Sequence, residues 1–144
     1  MKAKVTLSEG SSFRGFVGSG HDVVMDVSPN MGGQNLGPRP MEMILLGLGG
    51  CTAIDVLQIL RKGRQQVITM EVQLEGTRSS EDPKVFNNIQ INFIVSGKKL
   101  DERKVGRAIE LSAEKYCSVS MMLNKTVDIS YTFKISETTD LTLS

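Results

Sequence analysis

Two thiols carry the chemistry this chain can offer. Cys51 and Cys117 are its only cysteines, 66 residues apart, one in Gly49-Gly50-Cys51-Thr52-Ala53-Ile54-Asp55 and the other in Tyr116-Cys117-Ser118-Val119-Ser120. A thiol attacks as its thiolate, so it needs a positive neighbour or a hydrogen-bond donor, and apolar surroundings oppose it. On separate elements, two thiols can form a redox pair in which one is oxidised to a sulfenic acid and the other condenses with it to a disulfide. The plainer role for each is a small apolar filler in the core. Cys117, near the start of a short helix, is the better placed for a thiolate; Cys51 lies mid-helix, beyond the reach of the dipole.

Three charged residues could act on these thiols. Arg39, held between Pro38 and Pro40, is the cationic candidate. Glu42 precedes Cys51 by nine residues, about 13 Å along a helix and on nearly the opposite face. It can therefore assist only the Cys51 of a second copy; alone it is an acid favoured at a helix N-terminus. Asp55 falls one turn after Cys51 on the same face, where an unpaired carboxylate opposes a thiolate, so a bond to a backbone group or an arginine is expected. His21 is the only histidine. A metal site would want more such ligands and a Cys–His hydrolase a recognisable nucleophile motif, so neither is expected, and no metal or cofactor is assigned.

The elements that must position these groups follow from periodicity. Ala3, Val5 and Leu7 alternate with polar residues as a half-buried strand does, and Phe13–Val17 and Asp22–Val27 complete an antiparallel three-stranded meander. Residues 28–38, rich in Pro, Asn and Gly, read as a loop leading into a helix. The helix is expected over 40–62, opened by Pro40 and closed by Gly63 as a left-handed cap. It is apolar nearly all round from Met43 to Ile54, a 12-residue run short of the ~18 of a membrane span. Gly47, Gly49 and Gly50 would let another backbone approach closely. Two long alternating strands follow, around Ile68–Leu74 and Ile89–Val95. Asp101 opens a second helix with Val105, Ala108, Ile109, Leu111, Ser112 and Tyr116 inward, Ser118 caps a short third one, and a strand with Val127, Ile129, Tyr131, Phe133 and Ile135 on one face ends the fold. The fold class is α+β, ordered βββ-α-ββ-α(α)-β, as a single domain over 1–137 with a disordered tail at 138–144. The apolar central helix calls for an intertwined homodimer.

Composition bounds the partners. The chain has 144 residues, with 17 basic and 16 acidic side chains and a net charge of +1, so no global field draws nucleic acid or an anionic membrane surface. Two cysteines are too few for a disulfide scaffold, and the first residues lack the apolar core of a secretion signal, which points to the reducing cytoplasm.

The stretches Gly37-Pro38-Arg39-Pro40-Met41-Glu42-Met43, Gly49-Gly50-Cys51-Thr52-Ala53-Ile54-Asp55-Val56 and Ser112-Ala113-Glu114-Lys115-Tyr116-Cys117-Ser118-Val119-Ser120 resemble those of the OsmC/Ohr family, the osmotically induced and organic-hydroperoxide-resistance proteins, and within it the YhfA-like branch. The resemblance implies a homodimer whose sheets wrap long central helices, with sites at the subunit interface and a peroxiredoxin-type role in oxidative stress. It implies that Cys51 attacks an organic hydroperoxide, that Cys117 resolves it, and that an external dithiol restores both. The family's glutamate follows the proline directly; here Met41 holds that position and Glu42 comes next. Its arginine lies in the N-terminal strands or loop, where Arg14 and Arg39 stand. Two functions remain open: a thiol peroxidase, and a binding or sensing module of the same fold whose pocket holds a small apolar ligand.

Overall fold

The computed structural model describes residues 1–138. Its elements run β1 (Ala3–Leu7), β2 (Phe13–Val17), β3 (Asp22–Met25), a 3-10 turn (Pro29–Met31), α1 (Pro40–Lys62), β4 (Gln66–Arg78), β5 (Phe86–Lys98), α2 (Glu102–Leu111), a π-helical turn (Ser112–Tyr116), α3 (Ser118–Leu123) and β6 (Asp128–Glu137). This is the α+β order expected from periodicity. The chain groups into two units, residues 1–46 and the rest from Gly47 onward.

In the N-terminal unit β1, β2 and β3 form an antiparallel sheet in chain order, Ala3 pairing with Val17 and Phe13 with Met25. The strand β1 was expected to be half-buried, yet all five of its residues are exposed. Alternation records which face is apolar, not whether something covers it. Asp26 ends β3: its carboxylate accepts from the N–H groups of Val27 (2.8 Å), Gln34 (2.9 Å) and Leu36 (3.2 Å) and so folds the loop back on the strand. Gly37 belongs to the same turn, where a Cβ would fall 2.0 Å from the Val24 carbonyl oxygen.

Helix α1 has the limits its sequence predicts. Pro40 occupies the first helical position, and the Arg39 N–H ahead of it donates to Glu42 Oε1 at 2.8 Å, the backward half of a capping box. At the other end, the Gln65 N–H reaches the Leu60 carbonyl and the Arg64 N–H the Arg61 carbonyl, a Schellman closure. The left-handed residue there is Arg64 (φ 59°) and not Gly63, which the sequence had suggested. By length and composition α1 suffices to cross a bilayer, which the count over Met43–Ile54 alone missed. One stripe, Leu48, Thr52, Val56 and Leu60, is buried; Ile44, Leu46 and Ile54 are exposed. Of its three glycines, Gly49 is the close approach, with Leu74 Cδ1 at 2.6 Å from where a Cβ would sit, while Gly47 and Gly50 face open space.

The second unit is built on a sheet ordered β4–β5–β6, with β4 and β5 antiparallel and β6 parallel to β5. A parallel neighbour requires a crossover, here α2, the π turn and α3. The central strand β5 buries Ile89, Ile91, Phe93 and Val95 on alternate positions, and α2 adds Val105, Ala108 and Ile109. Asp101 caps α2 as expected, accepting from the Arg103 N–H at 2.9 Å. The final strand runs through Glu137, whose carboxylate accepts from the Lys99 N–H, and the Thr138 N–H donates to the Gly97 carbonyl. Thr138, expected in the disordered tail, is thus tied to β5, and the rest of that expectation, residues 139–144, lies outside those described.

Candidate functional site

Cys51, Asp55 and Cys117 converge in the second unit: one side-chain ligand atom from each lies within 4.8 Å of the other two. Helix α1 supplies the first two, one turn apart on one face. The crossover supplies the third, through its π turn. In a continuous α-helix the stripe Val105, Ala108, Ile109, Ser112 would bring Tyr116 inward. The Cys117 N–H instead reaches the Ser112 carbonyl, five residues back, at 2.8 Å, which stacks Cys117 over Ser112. Tyr116, expected in the core, is accordingly 50% exposed, and Cys117 is 0% exposed.

The two thiols are not equivalent. Cys51 is half-buried and Cys117 buried, and both are free. Cys117 is the N-cap of α3, a place sequence had given to Ser118: its Sγ accepts from the Ser120 N–H at 3.4 Å. That contact favours the thiolate, as a helix N-terminus should. Burial outweighs it, however, and with the neighbouring Cys51 it pushes the Cys117 thiol up from its ordinary value. The thiol expected to ionise more readily is thus held protonated.

Hydroxyl groups extend the cluster on both sides. Ser112 Oγ donates to Asp55 Oδ2 (3.4 Å) and shares a 3.0 Å hydrogen bond with Thr52 Oγ1. Since Ser112 has one proton to give, Thr52 is the donor between the two. Asp55 is therefore bonded to a serine, neither to the backbone nor to an arginine. Beyond Cys117, Ser120 Oγ meets the Tyr131 hydroxyl at 3.0 Å, and burial pushes that phenol up too. Every buried side-chain oxygen and nitrogen described has a partner. Sequence reasoning passed over Thr52, Ser112, Ser120 and Tyr131. A signal existed for the first pair: each is the hydroxyl in an otherwise apolar helical stripe.

The charged candidates of the N-terminal unit are engaged locally. Arg39 Nη1 donates to Asn35 Oδ1 (2.8 Å) and to the Gly37 carbonyl (3.0 Å), and Glu42 holds the Arg39 N–H. Arg14 pairs with Asp22 across β2 and β3. Within α1, Glu42 and Cys51 remain nine residues apart, so the helix itself does not bring them together. His21 lies in an exposed turn beside Ser19.

Two open clefts flank the site in the second unit. One of about 420 Å³ has Asp55, Ile59, Lys62, Leu111 and Tyr116 on its walls; the other, of about 430 Å³, has Ile109, Ile129, Tyr131 and Phe133.

Comparison with known proteins agrees with this architecture. The family model described as "OsmC-like protein" matches residues 32–132. The Escherichia coli K12 protein YhfA is 47% identical over 135 residues, covering 94% of this chain and 98% of its own. A solved hypothetical protein from Aquifex aeolicus superposes with a TM-score of 0.85 at 28% identity, over 96% of this chain and 97% of the other. A Legionella pneumophila structure described as an organic hydroperoxide resistance protein and predicted redox protein gives a TM-score of 0.71 over 92% and 95% of the two chains, a likeness of fold alone at 14% identity. The chain belongs to the OsmC-like family.

Proposed function

We propose that this protein is a thiol-dependent reductase of organic hydroperoxides, with Cys51 as the attacking thiol and Cys117 as the resolving one. The carrying observation is the closeness of two free thiols of unlike exposure, one half-buried and one fully buried. The Cys51 thiolate attacks the terminal peroxide oxygen; the O–O bond breaks, the alkoxide takes a proton and leaves as the alcohol, and Cys51 becomes a sulfenic acid. The Cys117 sulfur then displaces the sulfenic oxygen as water, and the disulfide forms. An external dithiol returns both to thiols by exchange. The rise of the Cys117 thiol on burial supports this order, because it keeps Cys117 as the waiting thiol.

A second copy of the chain is the proposed cover for the exposed apolar side of α1, where Ile44, Leu46 and Ile54 stand. In that homodimer residues 1–137 act as one OsmC-like domain, and Arg39 or Glu42 assists the Cys51 of the partner. Free thiols suit the cytoplasm. One observation favours the other reading, a binding module: the cleft beside Tyr131 is walled by Ile109, Ile129 and Phe133, a lining for a small apolar ligand.

One equivalent of cumene hydroperoxide decides between them. Peptide mass spectrometry should find a Cys51–Cys117 disulfide within one chain, sulfenic or over-oxidised Cys51 in Cys117→Ser, and a largely reduced Cys117 in Cys51→Ser. A wild type that stays dithiol, or equal oxidation of both variants, removes the peroxidase reading. Light scattering at micromolar concentration tests the dimer, which a stable monomer would exclude.

A further inference from the structure

We infer that Cys51, Cys117 and Asp55 form a binding site for a soft divalent cation of the Zn(II) class. Two sulfurs and one carboxylate oxygen already lie within 4.8 Å of one another. Tetrahedral Zn(II), with bonds of about 2.3 Å to sulfur and 2.0 Å to oxygen, needs donor separations of roughly 3.5–3.8 Å, so the three atoms would have to close by at most about 1.3 Å. Three protein donors leave the fourth position for water, the composition of an open site. Thiolate donors select Zn(II) or Cd(II) over Mg(II) and Ca(II), which prefer oxygen.

The surroundings are those of a metal site. A ligating carboxylate is usually held by an outer hydrogen bond, and Asp55 has one from Ser112, itself fixed by the buried Thr52. Cys117 is set by its bond from the Ser120 N–H. The cleft that Asp55 helps to line gives a path from solvent, with Lys62 at its edge as a cost to cation approach. The histidine count had pointed away from a metal; the set that assembles uses sulfur instead. Binding converts two thiols, one carboxylate and the divalent ion into a complex of charge −1 and releases two protons. No oxidant or reductant enters.

The inference shares its thiols with the proposed peroxide chemistry but does not rest on it, because the test reads the metal. The reduced full-length protein is titrated with CdCl₂ while the ultraviolet thiolate-to-cadmium charge-transfer band is followed, and Zn(II) affinity is obtained by competition with a chromophoric chelator. One metal per chain is expected, with a charge-transfer band of the intensity of two thiolates per Cd(II) in the wild type, a result that needs no variant to fold. Asp55→Asn and Ser112→Ala, checked by circular dichroism, should weaken Zn(II) by about 10–100-fold. A stoichiometry other than one, a band of the intensity of a single thiolate, or an affinity unmoved in Asp55→Asn overturns the site.

Discussion

Oxidation should make this protein more stable, by an amount the structure allows to be worked out. Linking Cys51 to Cys117 closes a loop of 66 residues, and chain-entropy arithmetic gives about 4 kcal/mol for a loop of that size at 25 °C. Two costs reduce it. The sulfurs, within 4.8 Å as free thiols, must close to about 2.05 Å, which strains the α1–π turn contact. Cys117 also loses part of its capping bond from the Ser120 N–H, for about 0.5–1 kcal/mol. A net gain of about 3 kcal/mol remains. At a urea m-value of about 2 kcal/mol/M the midpoint rises by about 1.5 M. The assay is urea unfolding of dithiol-reduced and hydroperoxide-treated protein at one chain concentration, since the proposed dimer would make apparent stability depend on it. Dithiothreitol should restore the lower midpoint, and Cys117→Ser should show no upward shift. An intrachain disulfide confirmed by mass spectrometry with a midpoint unchanged or lowered would refute the reasoning: the pair would then close only by breaking the packing that positions it.

Three further outcomes follow from the same contacts. Ser112→Ala strands the fully buried Thr52 hydroxyl and should cost about 1–3 kcal/mol in urea unfolding, Thr52→Val about 1, and the double variant about 1 kcal/mol less than their sum; additivity within about 0.5 kcal/mol would dissolve the pair. Because burial raises the Cys117 thiol, its contribution to stability is fully present below the unfolded value of about 8.5 and is lost as pH rises through the higher folded value, so the alkaline fall in unfolding midpoint should flatten in Cys117→Ser. Asp26 is shifted the other way, held below the usual carboxylate value chiefly by the Gln34 N–H; its contribution is complete above about pH 4 and lost as pH falls through the lower folded value, so protection of the Gln34 and Leu36 amides against hydrogen exchange, relative to their intrinsic rates, should fall in acid, and at neutral pH in Asp26→Asn.

What the sequence made legible depended on how local each cause was. The limits of α1 were readable because Pro40, Glu42 and the residues after Lys62 act within one turn of themselves. The left-handed residue was assigned to Gly63 by type, yet the 6→1 and 5→2 bonds place it at Arg64, one position that composition could not resolve. The alternation of β5 named its buried face correctly, and that of β6 the face that is half-buried. It could not tell that β6 runs parallel to β5, which is a matter of how the crossover returns. The π turn left no mark at all: a single extra residue in a helix has no period of its own, so Tyr116 was placed inward and Cys117 was left at the edge of α3. The nearness of the two cysteines came from family resemblance, not from spacing. Thr52 and Ser112 were visible as hydroxyls in apolar stripes, and their meaning appears only when the stripes face each other.

Asp55 sets the two proposed roles of the thiol pair against each other. An attacking thiolate at Cys51 meets a carboxylate within 4.8 Å, and even in a water-like dielectric two negative charges at that distance repel by about 1 kcal/mol. For a soft cation the same charge is a third ligand. Asp55→Asn should therefore move the two properties in opposite directions: peroxide oxidation of Cys51 faster by about fourfold or more, and Zn(II) binding weaker by at least about tenfold. Stopped-flow oxidation and chelator competition on one preparation of the variant measure both. If both fall together, Asp55 serves as a support for the π turn through Ser112, and neither electrostatic role stands. If oxidation alone rises, the carboxylate restrains the thiols without a metal, and the pair belongs to redox chemistry only.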